Sequence, residues 1–152
     1  MPRATDRVAG FPARGYNAAM TRIVPTEEQD CVAFAQWLDL HRIRFSHVPM
    51  ETFTKSRRVK GRNAAMGVRP GVPDYVIVLE KQTDGGFDGR TTKFERRLLF
   101  VEMKREGASP SRVSPEQRQW IEELGTVPGV TAVVCRGYEE AVLAVKDALR
   151  NW

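Results

Sequence analysis

Three short apolar runs constrain the fold of this chain more than any other feature. They occupy residues 76–79, 98–101 and 131–135 and consist largely of residues that favour strands. Continuous runs of this kind are typical of central β-strands that are covered on both faces. They are far shorter than the ~20 residues that a membrane-spanning helix needs. The sequence therefore predicts a buried sheet, and we expect neither a membrane-spanning nor a secreted protein.

Helices are predicted around this sheet. Thr-Glu-Glu-Gln at 26–29 predicts a helix over 27–41, and Ser-Pro-Glu-Gln at 114–117 predicts another that carries Trp120 inward. Both sequences are capping boxes, in which a hydroxyl accepts from the amide of the glutamine three residues later. A closing amphipathic helix is expected over 138–149.

Weaker patterns complete the prediction. We expect a strand at 45–48 and a helix over 57–66 that stops at Gly67. The polar segment 80–97 contains three glycines and predicts either a long hairpin connection or an exposed β-ribbon. The resulting order of helix, strands, helix, strand and helix indicates an α/β fold, with a small central sheet flanked by helices.

Length and composition set the outer limits. The 152 residues suit one domain, and 41% hydrophobic with 28% charged residues is typical of a globular chain. Residues 1–24 contain arginines among proline, glycine and alanine without periodicity, which predicts a flexible basic arm before a domain over 25–152. Cys31 and Cys135 lie in apolar segments and are expected to be reduced thiols, as in a cytoplasm.

Two short motifs at the ends of the apolar runs carry acidic side chains. Gly-Val-Pro-Asp at 71–74 precedes one run, and Glu102-Met103-Lys104 ends the next. Alternation along a strand places Glu102 and Lys104 on one side and Met103 on the other. Because neighbouring strands pair, we expect Asp74 to lie within a few ångströms of Glu102.

Two carboxylates and one ammonium at a single point favour a divalent cation. Neighbouring carboxylates raise each other's pKa, and a cation that binds oxygens of both relieves the repulsion. Mg²⁺ suits a site with so few protein ligands because it keeps several waters and accepts a phosphate oxygen. Lys104 would orient or deprotonate the attacking water, or neutralise charge in the transition state. Asp74, Glu102 and Lys104 are therefore candidate catalytic residues for phosphodiester hydrolysis.

Structural alternatives exist for each of these residues. Asp74 has the position of an ordinary turn residue, and Glu102 with Lys104 would make a solvated surface pair. A third acid is expected from the first helix, where Glu27 lies on the apolar stripe and Glu28 at its edge. Either carboxylate would hold water at the metal, but both also suit the positive end of the helix dipole.

Basic side chains are concentrated just before the Asp74 motif. They carry most of the net charge of +5, and Glu51 is the one acid between residues 42 and 69. Because a nuclease needs cations to hold the backbone beside its metal, we predict that the later members of this run bind phosphates. A solvated loop is the alternative. The predicted phosphate-binding residues are Lys55, Arg57, Arg58, Lys60, Arg62 and Arg69.

With these motifs, residues 25–149 resemble the virus-type replication-repair nuclease (VRR-NUC) domain, a branch of the PD-(D/E)XK nucleases. The acidic helix start, the two acidic motifs and the 114–117 box leading to Trp120 carry the resemblance. The resemblance implies a restriction-endonuclease-like core with a mixed sheet and dependence on Mg²⁺ or Mn²⁺. For small phage-type members it implies a homodimer that acts on branched DNA such as Holliday junctions. The corresponding location is the cytoplasm of a bacterium or of a phage-infected host.

The resemblance also implies roles for individual residues. Asp74 and Glu102 become metal ligands, and the carbonyl of Met103 adds a further ligand. Lys104 is catalytic, and Gln117 supports the site. Gln117 also occupies the capping-box position, which leaves a purely structural role open. Residues 1–24 match no feature of the family, and the 80–97 connection is long for it.

Two other classes of protein compete with the nuclease. One is a non-catalytic nucleic-acid-binding module with a nuclease-like core, which would bind DNA with a steep salt dependence and not cut it. The other is an interaction protein whose sheet edge pairs with a partner. The complete set of Asp, Glu and Lys favours the nuclease. Symmetric cutting of a junction would require a two-fold dimer, because each chain has one catalytic set.

Overall fold

The computed structural model describes residues 23–48, 56–83, 93–107 and 112–152. In these ranges the chain forms four helices and four strands. They are α1 (Glu27–Leu40), β1 (Arg44–His47), α2 (Arg57–Ala65), β2 (Tyr75–Thr83), β3 (Lys93–Lys104), α3 (Pro115–Gly125), β4 (Val130–Arg136) and α4 (Gly137–Arg150). The predicted order is confirmed. The basic arm predicted at 1–24 lies, up to residue 22, outside the described residues.

The strands form one mixed sheet in the order β1-β2-β3-β4. β1 and β3 are both antiparallel to β2, whereas β4 is parallel to β3. The α/β class, with a small mixed sheet between helices, is thereby confirmed. No helix within the described ranges is long and apolar enough to cross a membrane.

β2 and β3 extend well beyond their apolar runs. Their pairing continues from Tyr75↔Val101 to Thr83↔Lys93, so the polar segment between the runs is paired wherever it is described. The exposed β-ribbon is therefore the correct alternative for this part of 80–97. Except for the exposed Phe94, its outer residues are polar, because both faces of a two-stranded ribbon meet water.

The core lies between one face of the sheet and the helices α1 and α4. Tyr75, Ile77 and Leu79 of β2 point to this face, as do Leu99, Val101 and Met103 of β3, and all are buried. Phe34 and Leu38 from α1 and Val145 from α4 cover them. Alternation then sends Glu102 and Lys104 to the opposite face, on the side of α3. The fold thus keeps the apolar core and the polar strand ends apart.

Candidate active site

The loop before β2 is held by the first turn of α3. Gly71 has φ of +88°, and a Cβ at this position would lie 2.6 Å from the backbone carbon of Glu116. Trp120 of α3 donates from Nε1 to the carbonyl of Pro70 at 3.2 Å. Only glycine fits a left-handed backbone that approaches another backbone so closely. The loop that carries Asp74 is therefore anchored against the helix that carries Gln117.

Asp74 directly precedes β2 and extends the hydrogen bonding of the sheet by one residue. Its carbonyl accepts from the N–H of Val48 at 2.7 Å. Its carboxylate oxygen Oδ2 accepts from the N–H of Met103 at 2.8 Å, two residues beyond the last β3 residue that pairs with β2. This side chain therefore takes the place of a strand partner, which brings the carboxylate to the Glu102 end of β3.

Glu102 is the centre of the cluster. It is 1% exposed, and its Oε1 lies 2.6 Å from the Nζ of Lys104, which is 7% exposed. The same Oε1 accepts from the side-chain amide of Gln117. Oε2 is buried and has no hydrogen-bond partner among the described residues. The carboxylate is thus fixed through one oxygen while the other is left for a further ligand.

Gln117 closes the predicted capping box and also contacts Glu102. Its Oε1 accepts from the N–H of Ser114 at 2.9 Å, which closes the predicted capping box. Its Nε2 donates to Glu102. Because one rigid amide group makes both contacts, the start of α3 and the Glu102 carboxylate are oriented together.

The environment disfavours ionisation of both carboxyl groups. Burial, reinforced by the charges of Asp74 and Glu27 and opposed by Lys104, raises the pKa of Glu102 to about 7. Burial also raises the pKa of Asp74, although the N–H of Met103 and the charge of Lys104 act against it. A cation bound between the two groups would remove this cost.

The first helix places its two glutamates differently. Glu27 is half-buried, and its Oε2 accepts from the N–H of Arg105 at 3.1 Å, directly after β3. Its charge acts on both Asp74 and Glu102. Glu28 is exposed. The structure therefore brings Glu27, rather than Glu28, to the cluster.

The oxygens of Asp74 and Glu102 fit a hard divalent cation such as Mg²⁺, since carboxylates are its usual protein ligands. The buried, unpartnered Oε2 of Glu102 is the observation that supports this fit. In the described part of the chain, no group of three or more His, Cys, Asp or Glu side chains is placed to hold a metal. Water and phosphate oxygens would therefore complete the coordination. The side chain of Met103 lies in the core, and its N–H donates to the carboxylate of Asp74.

The predicted phosphate-binding residues lie on or beside α2. Arg57, Arg58, Lys60 and Arg62 are exposed. Arg69 differs from them, because its guanidinium donates to the carbonyls of Ala64 and Val68 and so closes the end of this helix. Lys55 lies outside the described residues. The exposed cations of α2 precede the Asp74 loop directly and are free of any role in the core.

Sequence reasoning missed one buried acid, Asp30. It is 5% exposed, and its Oδ1 accepts from the N–H of Tyr138 at 3.2 Å, in the first turn of α4. The side chain of the N-cap residue of α4 makes no capping bond, and Asp30 supplies one from α1. The spacing of Asp30, Phe34 and Leu38 at every fourth residue was the available signal, since these are the buried residues of α1.

The mixed sheet, with two carboxylates and a lysine at the ends of neighbouring strands, defines the restriction-endonuclease-like class. Within that class, the model of the VRR-NUC domain matches residues 26–139, and the chain belongs to this family of nuclease-like domains. A solved structure described as a VRR_NUC domain protein is similar over 83% of this chain and 89% of that chain, at 21% identity and a TM-score of 0.58. That similarity shows a shared fold. A comparison with curated proteins found no matching relative.

Proposed function

We propose that this protein is a Mg²⁺- or Mn²⁺-dependent DNA endonuclease whose active site is the cluster of Asp74, Glu102 and Lys104. The observation that carries the proposal is the buried Oε2 of Glu102, which has no partner in the described chain. A buried carboxylate oxygen without a hydrogen bond is unfavourable. The Oδ2 of Asp30 is also buried without a partner, so the position of the Glu102 oxygen beside Asp74 and Lys104 is what points to an ion. Membership of the VRR-NUC family supports the same chemistry.

Each residue has a defined part in this proposal. When bound, the divalent ion polarises the phosphodiester and lowers the pKa of a water molecule. Asp74 and Glu102 hold the ion, with Asp74 oriented by the N–H of Met103 and Glu102 by Gln117. Lys104 donates toward the water or the phosphate and neutralises charge there. The Met103 carbonyl is proposed as a further ligand and Glu27 as a residue that holds water.

The cations of α2 are proposed to hold the DNA backbone. Their position before the Asp74 loop and their exposure support this assignment. Neutralising one phosphate contact lowers the salt dependence of binding in a predictable way, since each contact releases counterions. Arg69 is also proposed as a phosphate ligand, through the guanidinium N–H groups that do not donate to α2.

We further propose that the substrate is branched DNA and that the active species is a homodimer. The support is the resemblance to small phage-type VRR-NUC proteins and the single catalytic set in each chain. Two symmetric cuts in one junction require two copies of this set.

The test is cleavage of labelled linear, nicked, flap and four-way DNA, with Mg²⁺ or with a chelator. We expect cutting that needs the metal, prefers branched DNA and disappears in the Glu102→Gln variant. Chromatography by size, performed on the same sample, measures the oligomeric state. DNA binding without cutting by the wild-type protein would contradict the nuclease and favour the non-catalytic nucleic-acid-binding module.

A further inference from the structure

A second pocket lies at the end of α1 that is farthest from the candidate active site. Its volume is about 590 Å³, and its lining includes Trp37, His41, Arg42, Arg44, Arg96 and Lys146. α1 begins beside the catalytic cluster with Glu27 and ends at this pocket. The pocket is therefore separate from the cluster of Asp74, Glu102 and Lys104.

The charges of this pocket are unbalanced. The one acid in its lining, Glu80, is already paired with Arg96 at 2.7 Å. Within the described residues, Arg42, Arg44 and Lys146 have no carboxylate at ion-pair distance, and all three are exposed. Lys146 lies 6.0 Å from the ring centre of Trp37. Three cations without counter-charges around one concave surface favour an anionic ligand.

Arg42 occupies a backbone position at which glycine is the usual residue. Its φ is 56°, and its N–H donates to Asp39 while the N–H of Ile43 donates to Leu38. These two bonds form a Schellman motif, in which the residue after the cap is left-handed. An arginine here is strained relative to glycine. The fold thus holds a cation at the rim of the pocket at a cost in backbone energy.

Two arginines of the pocket share a face of the sheet with the catalytic cluster. Arg96 and Glu102 are both at even positions of β3, so their side chains point to the same side. Arg44 pairs with Val78, which pairs with Leu98, so Arg44 points to that side as well. Six residues of strand separate Arg96 from Glu102, a distance of about 20 Å. A nucleic acid lying along this face would reach both places.

We propose that Arg42, Arg44 and Arg96 form a second phosphodiester-binding site, which holds the nucleic-acid substrate about 20 Å from the bond that is cut. The proposal rests on the proposed nuclease function. At 3.4 Å per base pair, this distance corresponds to about six base pairs of duplex. When the bond to be cut lies at the catalytic cluster, an arm must therefore extend beyond that length to contact the site.

The test compares two double variants that each remove two positive charges. Arg42→Gly with Arg44→Gln alters the pocket. Lys81→Gln with Lys93→Gln is the matched control, because these lysines lie on the same ribbon but on its other face. Binding to a long duplex is measured over a range of salt concentrations in chelator, where no cutting occurs.

We expect the pocket variant to bind the long duplex at least tenfold more weakly at moderate salt. The slope of log affinity against log salt should fall by about two, since each phosphate contact contributes about 0.9. Binding by the control should equal that of the wild type. An unchanged slope for the pocket variant, or an equal change in the control, would overturn the proposal.

Two further measurements separate this proposal from folding and from the nuclease function. Glycine suits the left-handed position, so the pocket variant should melt no earlier than the wild type. Arg44→Gln with Arg96→Gln repeats the test without residue 42. If the wild type cuts DNA, the pocket variant should raise KM for long arms and leave kcat unchanged. If the wild type binds but does not cut, the nuclease function fails while the salt slope still decides this site.

Discussion

Gln117 joins the start of α3 to the carboxylate of Glu102. One end of its amide group accepts from Ser114 and caps the helix, and the other end donates to Glu102. A helix cap and a candidate metal ligand are therefore held by one side chain. Since the same helix also packs against Gly71 of the loop that carries Asp74, α3 positions both acids of the cluster.

Two substitutions separate the two contacts of Gln117. Gln117→Glu keeps an oxygen for the capping box but faces the buried Glu102 with a second carboxylate. We therefore expect normal melting at about pH 5, where the two groups share a proton, earlier melting at about pH 8, and a pH optimum of cleavage shifted upward. Gln117→Ala loses the cap as well and should destabilise the fold by about 1 kcal/mol. Thermal unfolding and the pH profile of cleavage measure these effects. Equal melting losses in both variants would argue against the dual role.

Lys104 is buried together with Glu102, so its removal affects folding as well as cleavage. Lys104→Met leaves a buried carboxylate without its cation and should cost roughly 3 kcal/mol at neutral pH. Adding Glu102→Gln to this variant removes the charge, and most of the loss should be recovered. Denaturant unfolding measures the free energies, and none of these variants should cut DNA. A double variant that is less stable than Lys104→Met would contradict a buried ion pair.

The stability of the metal-free protein should depend on pH through Glu102. Its pKa is about 7 in the folded protein and 4.5 in the unfolded chain. Between these two pH values the folded protein therefore binds a proton that the unfolded chain has lost. The free energy of unfolding therefore falls as pH rises through this window. Mg²⁺ should raise the melting temperature more at about pH 8 than at about pH 5, because it binds the ionised form. Glu102→Gln, the control, should flatten both effects.

Gly71 and Gly61 provide a matched pair of substitutions. Gly71→Ala places a Cβ against the backbone of Glu116 at a left-handed position, so we expect a loss of about 2 to 4 kcal/mol together with weaker cleavage. Gly61 lies inside α2, where an added Cβ would meet nothing within 4 Å, and Gly61→Ala should stabilise the protein by up to about 1 kcal/mol. Denaturant unfolding distinguishes them. Similar results for the two variants would show that the Gly71 contact is unimportant.

Much of the fold follows from local sequence signals. The apolar runs at 76–79 and 98–101 lie inside β2 and β3, and both capping boxes start helices where they were predicted. These signals are reliable because strand burial and helix capping depend on residues that are close in the chain. The sequence did not decide whether the polar segment between these runs forms a loop or a ribbon of β2 and β3, because its polar residues are equally common in loops.

The parts of the site that depend on packing were decided only by the tertiary structure. Sequence motifs identified Asp74, Glu102 and Lys104 as polar groups at strand ends. They did not distinguish Glu27 from Glu28, show that Gln117 contacts Glu102, or identify Asp30 as the cap of α4. Each of these depends on how a helix is rotated and placed against the sheet. That placement is set by the sum of many side-chain contacts between distant segments, and no short stretch of sequence contains them.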